Sequence, residues 1–230
     1  MKTIGMIGGM SWESTAVYYR IVNQEIQRRL GGHHNARCIV LSLDFAEIEA
    51  HQAAGRWDQA AAMLADAAKS LARAGAEILI LCTNTMHKVA AAVSGATEAK
   101  FIHIADPTAD EVSRHGIRTV GLLGTRYTME EDFYRQRLEH KGLSVLIPGR
   151  QERDEVHGII YDELCHGIVR NASRDRYRQI VRSMQSGGAQ GVILGCTEIG
   201  MLLESGDVSL PLFDTARLHA TAAVAEALRI

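Results

Sequence analysis

The sequence predicts an α/β protein made of two similar, doubly wound parallel-sheet halves with the active site in the cleft between them. Three observations lead there. The chain carries nearly the same segment twice: residues 75–84 read Gly-Ala-Glu-Ile-Leu-Ile-Leu-Cys-Thr-Asn, and residues 188–197 read Gly-Ala-Gln-Gly-Val-Ile-Leu-Gly-Cys-Thr. Two further pairs of segments echo each other, 3–9 with 119–125 and 101–106 with 210–214. Short apolar, β-branched runs alternate with longer helical patterns, the rhythm of βαβ units with right-handed crossovers.

The expected strands are 3–8, 37–43, 77–82, 101–104, 118–123, 143–147, 190–195 and 210–213. Each is a brief apolar run, as in a parallel sheet covered on both faces. The expected helices follow from their periodicity and their stops. Residues 12–30 end at Gly31-Gly32, 57–74 carry an Ala/Leu stripe up to Gly75, 127–141 stop at Gly142, and 174–186 stop at Gly187-Gly188. Residues 215–228 follow Asp214-Thr215, a good N-cap pair. No Pro/Ser-rich linker interrupts the chain, so a first half of 1–100 should pass tightly into a second of 101–214. Helix 215–230 is expected to pack back onto the first half.

Bulk properties exclude several classes. At 230 residues and 47% apolar content the chain can bury a sizeable core. A net charge of −2 with scattered Lys and Arg argues against a nucleic-acid surface. No apolar run approaches the ~18–20 residues that span a bilayer, so no membrane partner is expected. The N-terminus enters a strand at once, which does not suit a signal peptide. Cys38, Cys82, Cys165 and Cys196 do not form a disulfide pattern and read as free thiols of a cytoplasmic protein, Cys38 and Cys165 in the core.

In open α/β sheets ligands bind beyond the carboxyl ends of the strands. The residues there are Gly8 to Ser11, Asp44 onward, Thr83-Asn84-Thr85, Gly124-Thr125 with Tyr127-Thr128, and Cys196-Thr197-Glu198. They are small, hydroxylic or amide residues, and most precede a helix, where backbone N–H groups attract carboxylates. Such a set suits a small, polar, anionic ligand.

Cys196 can act as a base, because a thiol pKa of ~8.5 falls at a helix start or near cations. Glu198 works the other way, raising the thiol pKa by its charge. The bland alternative for Cys196 is an inert buried thiol. Thr83, its counterpart in the repeat, is too weak an acid to serve as a thiolate-like base. It can donate a proton, hold water or bond a carboxylate, or simply cap a helix starting at Asn84. Cys82 neighbours Thr83 in a strand and should therefore face the core. Two proton-handling groups on opposite faces of a small molecule are what inversion of a carbon centre requires. Gly5-x-x-Gly8-Gly9 is not a dinucleotide fingerprint, and the ten histidines include no His-Glu-x-x-His. His87, one turn beyond Asn84, either lines the cleft or packs.

Thr3-Ile-Gly-Met-Ile-Gly-Gly-Met-Ser-Trp-Glu-Ser-Thr15, Cys82-Thr-Asn-Thr-Met-His87, Gly124-Thr-Arg-Tyr-Thr-Met129 and Gly195-Cys-Thr-Glu198 resemble the aspartate/glutamate racemase family across essentially the whole chain. Its relatives include hydantoin racemase, arylmalonate decarboxylase and maleate isomerase. The resemblance implies a cofactor-independent racemase, commonly dimeric, in which two cysteines flank the substrate α-carbon. Here the first of these is replaced by Thr83, and the second is Cys196. By resemblance Cys196 handles the L-enantiomer and Thr83 reprotonates the opposite face, so turnover should be faster from L to D.

The resemblance also implies that Asn84 and Thr85 bind the amino-acid head, that Thr197 assists beside Cys196, and that Met10, Thr125 and Thr128 line the cleft. Glu198 and Gln52 join the substrate-binding set. An Arg and a Lys that hold a side-chain carboxylate in aspartate-selective relatives are not matched. His51 and Gln52 stand near the first position and Cys165 near the second. The expected substrates are L-aspartate and L-glutamate. The alternatives are a neutral polar amino acid such as homoserine, a decarboxylase or maleate isomerase of the same superfamily, and a non-catalytic amino-acid binding protein.

Overall fold

The computed structural model describes residues 1–229 and divides into two compact units, Met1–Ile104 with the chain from His219 onward, and Ala105–Leu218. The first unit runs β1 (Ile4–Gly8), α1 (Trp12–Leu30), β2 (Cys38–Ser42), α2 (Phe45–Ala53), α3 (Trp57–Arg73) and β3 (Ile78–Leu81). A short 3₁₀ turn (Thr85–Val89), α4 (Ala90–Ser94) and β4 (Lys100–Phe101) follow. The second begins with α5 (Ala105–Arg114), β5 (Thr119–Gly124), α6 (Arg126–Glu130), α7 (Asp132–Glu139), β6 (Ser144–Leu146) and α8 (Arg150–Asp162). Then come a 3₁₀ turn (Leu164–His166), α9 (Asn171–Ser186), β7 (Gly191–Gly195), α10 (Ile199–Leu202), β8 (Leu212–Asp214) and α11 (Thr215–Ala227).

Each unit holds one four-stranded parallel sheet, ordered β2-β1-β3-β4 in the first and β6-β5-β7-β8 in the second. The repeat extends to register. Ile4 pairs with Ile78 in one sheet, and their counterparts Val120 and Gly191 pair in the other. The fourth strands depart from the sequence echo: Leu79 pairs with Phe101 and Val192 with Leu212, so Phe101 corresponds to Leu212 rather than Leu210.

The inner strands β1, β3 and β7 are buried throughout, since helices cover both faces. The outer strands are not. Cys38 on edge strand β2 is only half-buried, and so is Cys165, contrary to a core placement. In the first unit α3 lays Ala60, Leu64, Ala67, Ala68 and Leu71 against Ile7, Leu79 and Leu81. In the second, Val156 and Ile160 of α8 and Tyr177, Ile180 and Val181 of α9 pack on Leu123, Val192 and Leu194.

Two helical expectations are corrected. The stretch 127–141 is two helices, broken where Glu131 adopts an extended conformation. The helix expected to start at Asn84 is a 3₁₀ turn from Thr85 leading into α4. The last helix starts in the second unit, where the Thr215 hydroxyl donates to the Leu194 carbonyl at 2.8 Å, and continues into the first. There the Lys2 N–H donates to the Ala227 carbonyl at 2.9 Å, and Glu226 pairs with Lys100 at 2.8 Å. Residue 230, the end of the stretch expected to dock on this half, lies outside the described residues. Among the described residues no helix is long and apolar enough to cross a membrane.

Candidate active site

In the first unit the site residues collect beyond the carboxyl ends of β1 and β3, two strands in direct contact. Gly9 turns the chain out of β1 with φ +92°, and a side chain there would lie 2.1 Å from the Leu43 carbonyl oxygen. Its N–H donates to the Thr15 hydroxyl at 2.8 Å, which in turn donates to the Ser11 carbonyl at 2.9 Å. Ser11 caps α1 by accepting from the Ser14 N–H. The Ser14 hydroxyl then reaches across to β3 and donates to the Cys82 carbonyl at 3.0 Å.

The chain after β3 presents Cys82, Thr83, Asn84 and Thr85, all buried. Cys82 is fully enclosed and burial pushes its thiol pKa well up, so it is a neutral core thiol at ordinary pH. Thr83 is buried, and its hydroxyl has no hydrogen-bond partner among the described residues. It does not cap the following turn, which starts after Asn84 without a side-chain cap bond. Met10 packs with Ile48 and Met86 in the core cluster. Gln52 of α2 is 4% exposed, and its amide donates to Met86 Sδ at 3.0 Å. Met86 therefore links Gln52 and Met10 to the segment that carries Thr83.

In the second unit the equivalent strand ends carry Thr125 and Thr128 after β5, and Cys196, Thr197 and Glu198 after β7. Thr125 caps α6, accepting from the Thr128 N–H at 3.3 Å, and the two hydroxyls lie 3.2 Å apart. A side chain at Gly195 would meet the Leu123 carbonyl oxygen at 2.8 Å and Thr128 Cγ2 at 3.3 Å. A glycine here lets α6 sit directly on the strand that leads to Cys196.

The Cys196 thiol donates to Glu198 Oε2 at 3.0 Å, and the Thr197 hydroxyl donates to the same oxygen at 2.6 Å. Burial raises the Cys196 pKa well above the ordinary thiol value, and the charges of Glu198 and Cys165 add to that. A helix dipole offers little relief, because α10 is only four residues long. Cys196 therefore rests as a thiol hydrogen-bonded to a carboxylate. The sequence gives no sign that Cys165, whose thiol is itself raised by burial, feels the same Glu198 charge. A cavity of about 450 Å³ in this unit lies elsewhere, lined by His115, Leu203, Phe213, Asp214 and Arg217. It does not include Cys196.

Sequence reasoning missed Ser14 and gave His87 no definite role. His87 Nδ1 lies 2.7 Å from the Thr83 carbonyl oxygen, a four-residue spacing visible in the sequence. Nothing local marks Ser14 as a partner of Cys82, 68 positions away.

The sequence pattern of Asp/Glu/hydantoin racemases matches residues 7–223 of this chain. The chain belongs to that family. Racemases are isomerases, and the chain is an enzyme of that class. A candidate Asp/Glu racemase from Yersinia pestis is 51% identical, covers all of both chains and superposes with a TM-score of 0.92. An aspartate racemase homologue from Pyrococcus horikoshii is 38% identical over all of both chains, with a TM-score of 0.86. The aspartate racemase of Picrophilus torridus shares the fold at 18% identity, with a TM-score of 0.79 over 99% of this chain and 94% of its own. Two parallel four-stranded sheets with flanking helices are thus the family's arrangement.

Proposed function

We propose that the chain inverts the α-carbon of L-aspartate or L-glutamate without pyridoxal phosphate. Cys196 removes the α-proton of the L-enantiomer, and the Thr83 hydroxyl delivers a proton to the opposite face. The observation that carries this reading is the equivalence of the two residues. Thr83 and Cys196 follow the same strand of two sheets with identical order and register.

The proton balance follows from the hydrogen bonds. The resting thiol passes its proton to Glu198 Oε2, which already accepts from it. The thiolate then breaks the α-C–H bond and is a thiol again. The carbanion takes a proton from the Thr83 hydroxyl, which regains one from water, and Glu198 releases its proton to solvent. General acid–base transfer of this kind contributes ~10²–10⁴-fold in rate. Thr83 is a poor base, so D-to-L conversion is slow at saturating substrate, with KM for the D-enantiomer lower in proportion and the equilibrium constant unaltered. Asn84, Thr85 and Thr197 bind the amino-acid head, with Met10, Thr125 and Thr128 around it. The working enzyme is a cytoplasmic homodimer.

A second reading, inversion of a neutral polar amino acid such as homoserine, draws on Gln52 and Cys165. By the family resemblance, the Arg and Lys positions of aspartate-selective relatives fall near Gln52, a buried amide, and on Cys165, a half-buried thiol, neither of which is a cation. Incubation with a panel of L-amino acids in D2O tests both. Deuterium should enter the α-carbon of aspartate or glutamate with the unaltered protein and not with Cys196→Ala. Exchange confined to homoserine selects the second reading. Turnover of maleate or loss of CO2 from a malonate selects the other superfamily chemistries, and binding without exchange makes the chain a binding protein.

A further inference from the structure

Both peptide groups that flank Thr83 are held by hydrogen bonds. The Cys82 N–H donates to the Ile7 carbonyl at 2.9 Å, and the Cys82 carbonyl accepts from the Ser14 hydroxyl at 3.0 Å. The Thr83 N–H donates to the Leu81 carbonyl at 2.8 Å, and the Thr83 carbonyl lies 2.7 Å from His87 Nδ1. The hydroxyl is the one polar group of Thr83 that these bonds leave available.

The direction of the histidine bond is fixed by its other nitrogen. The Ile104 N–H donates to His87 Nε2 at 3.2 Å, so Nε2 presents its lone pair. A neutral ring then carries its proton on Nδ1, which donates to the Thr83 carbonyl. The ring is 2% exposed, with His103 at 4.5 Å and His219 and Phe101 each at 5.7 Å between centroids. His219 is itself locked. Its Nε2 faces the Ile102 carbonyl at 2.8 Å and must donate, so its Nδ1 accepts from the Tyr18 hydroxyl at 2.9 Å. The imidazole that grips Thr83 is thus part of a braced set and does not pivot freely.

We propose that His87 is a positioning residue for the Thr83 hydroxyl, with Ser14 holding the peptide before it. Threonine is branched at Cβ and stiff about χ1. Once its two peptides are fixed, the direction of Oγ1 follows. The inference rests on Thr83 being the proton donor of the reaction proposed above. A misplacement of ~1 Å at such a group costs on the order of 10²-fold in rate.

The test compares His87→Gln, His87→Asn, Ser14→Ala and Thr83→Ala with the unaltered protein. The readouts are kcat and KM for L-to-D conversion, and loss of the L-substrate α-proton to D2O with configuration retained. That exchange needs Cys196 alone. The glutamine in His87→Gln accepts from Ile104 but does not reach the Thr83 carbonyl, whereas the Nδ2 of the asparagine takes the place of Nδ1. Expected for His87→Gln is a kcat about 10–100-fold lower, with KM within about threefold and same-face exchange retained. His87→Asn should recover most of the loss, and Ser14→Ala should lower the same kcat by about 3–10-fold. Equal losses in the two His87 variants, in step with a fallen unfolding temperature, would show only a packing role and overturn the proposal. So would an unchanged kcat in Ser14→Ala. If Thr83→Ala converts L to D at the full rate, the proton-donor reading itself has failed and the inference falls with it. If Thr83→Ala is dead and the His87 variants are alike, the inference fails alone.

Discussion

Glu198 Oε2 accepts two hydrogen bonds at once, from the Cys196 thiol at 3.0 Å and from the Thr197 hydroxyl at 2.6 Å. The second bond holds the carboxylate against the sulfur. The same carboxylate raises the thiol pKa by its charge and offers the nearest place for the thiol proton to go.

Glu198→Gln separates these effects. The amide keeps the size and an acceptor but takes no proton. L-substrate α-proton exchange at neutral pH should fall by at least about 10²-fold. The residual rate should climb steadily with pH, because Cys196 must then ionise to water and burial still holds its pKa high. A pH–rate series from 6 to 10 checks this. A flat profile at full rate would mean Glu198 takes no part.

Thr83→Cys should give the first unit a usable base. The kcat for D-to-L conversion is expected to rise at least about tenfold, with KM for the D-enantiomer rising in proportion and kcat for L-to-D conversion changed little. Initial rates from each enantiomer, measured by chiral chromatography, decide it. A forward-to-reverse kcat/KM ratio that still equals the equilibrium constant is required in both proteins.

Gly9→Ala places a methyl group against the Leu43 backbone at a positive φ. The strain and displacement should cost about 3 kcal/mol or more. Chemical denaturation should show a lower midpoint, and activity should fall as the Gly9–Thr15–Ser11 bonds at the start of α1 shift.

Asp214 gives a pH signature. Burial raises its pKa above the ordinary carboxyl value, although its Oδ1 accepts from the Arg217 N–H at 3.1 Å. A raised folded-state pKa means the neutral acid favours the fold. That stability is fully present below the unfolded-state pKa and is lost as pH rises through the folded one. Asp214→Asn keeps the helix cap and removes the charge. At pH 7 it should raise the unfolding temperature by about 2–4 °C, roughly 1 kcal/mol, with no gain at pH 3. Calorimetry at both pH values tests the sign.

All eight strands could be located in the sequence because each lies in or beside a short apolar run, although β4 (Lys100–Phe101) shares only Phe101 with the expected 101–104. The repeat also revealed that the chain is built of two similar parallel-sheet halves; that the two sheets share one strand order comes from the structure. Helices with faint apolar stripes were not evident. α8 (Arg150–Asp162) buries only Val156 and Ile160, with Gly158 between them. α5 (Ala105–Arg114) builds its buried face from Ala105, Thr108, Ala109 and Val112 and carries Pro107 in its first turn, which reads locally as a loop. In the site, the correspondence of Thr83 with Cys196 was legible as an aligned pair. Bonds between distant segments, such as Ser14 to Cys82, leave no local pattern in the sequence.

The path of the chain through its two units sets an order of assembly. Everything needed for the second unit is made before His219, whereas the first unit waits for α11, which brings His219 to Ile102 and Ala227 to Lys2. During synthesis, residues 1–104 must therefore remain incomplete while the later half emerges and folds. A chain stopped at residue 218 would keep every residue of the half that holds Cys196 and lack part of the half that holds Thr83.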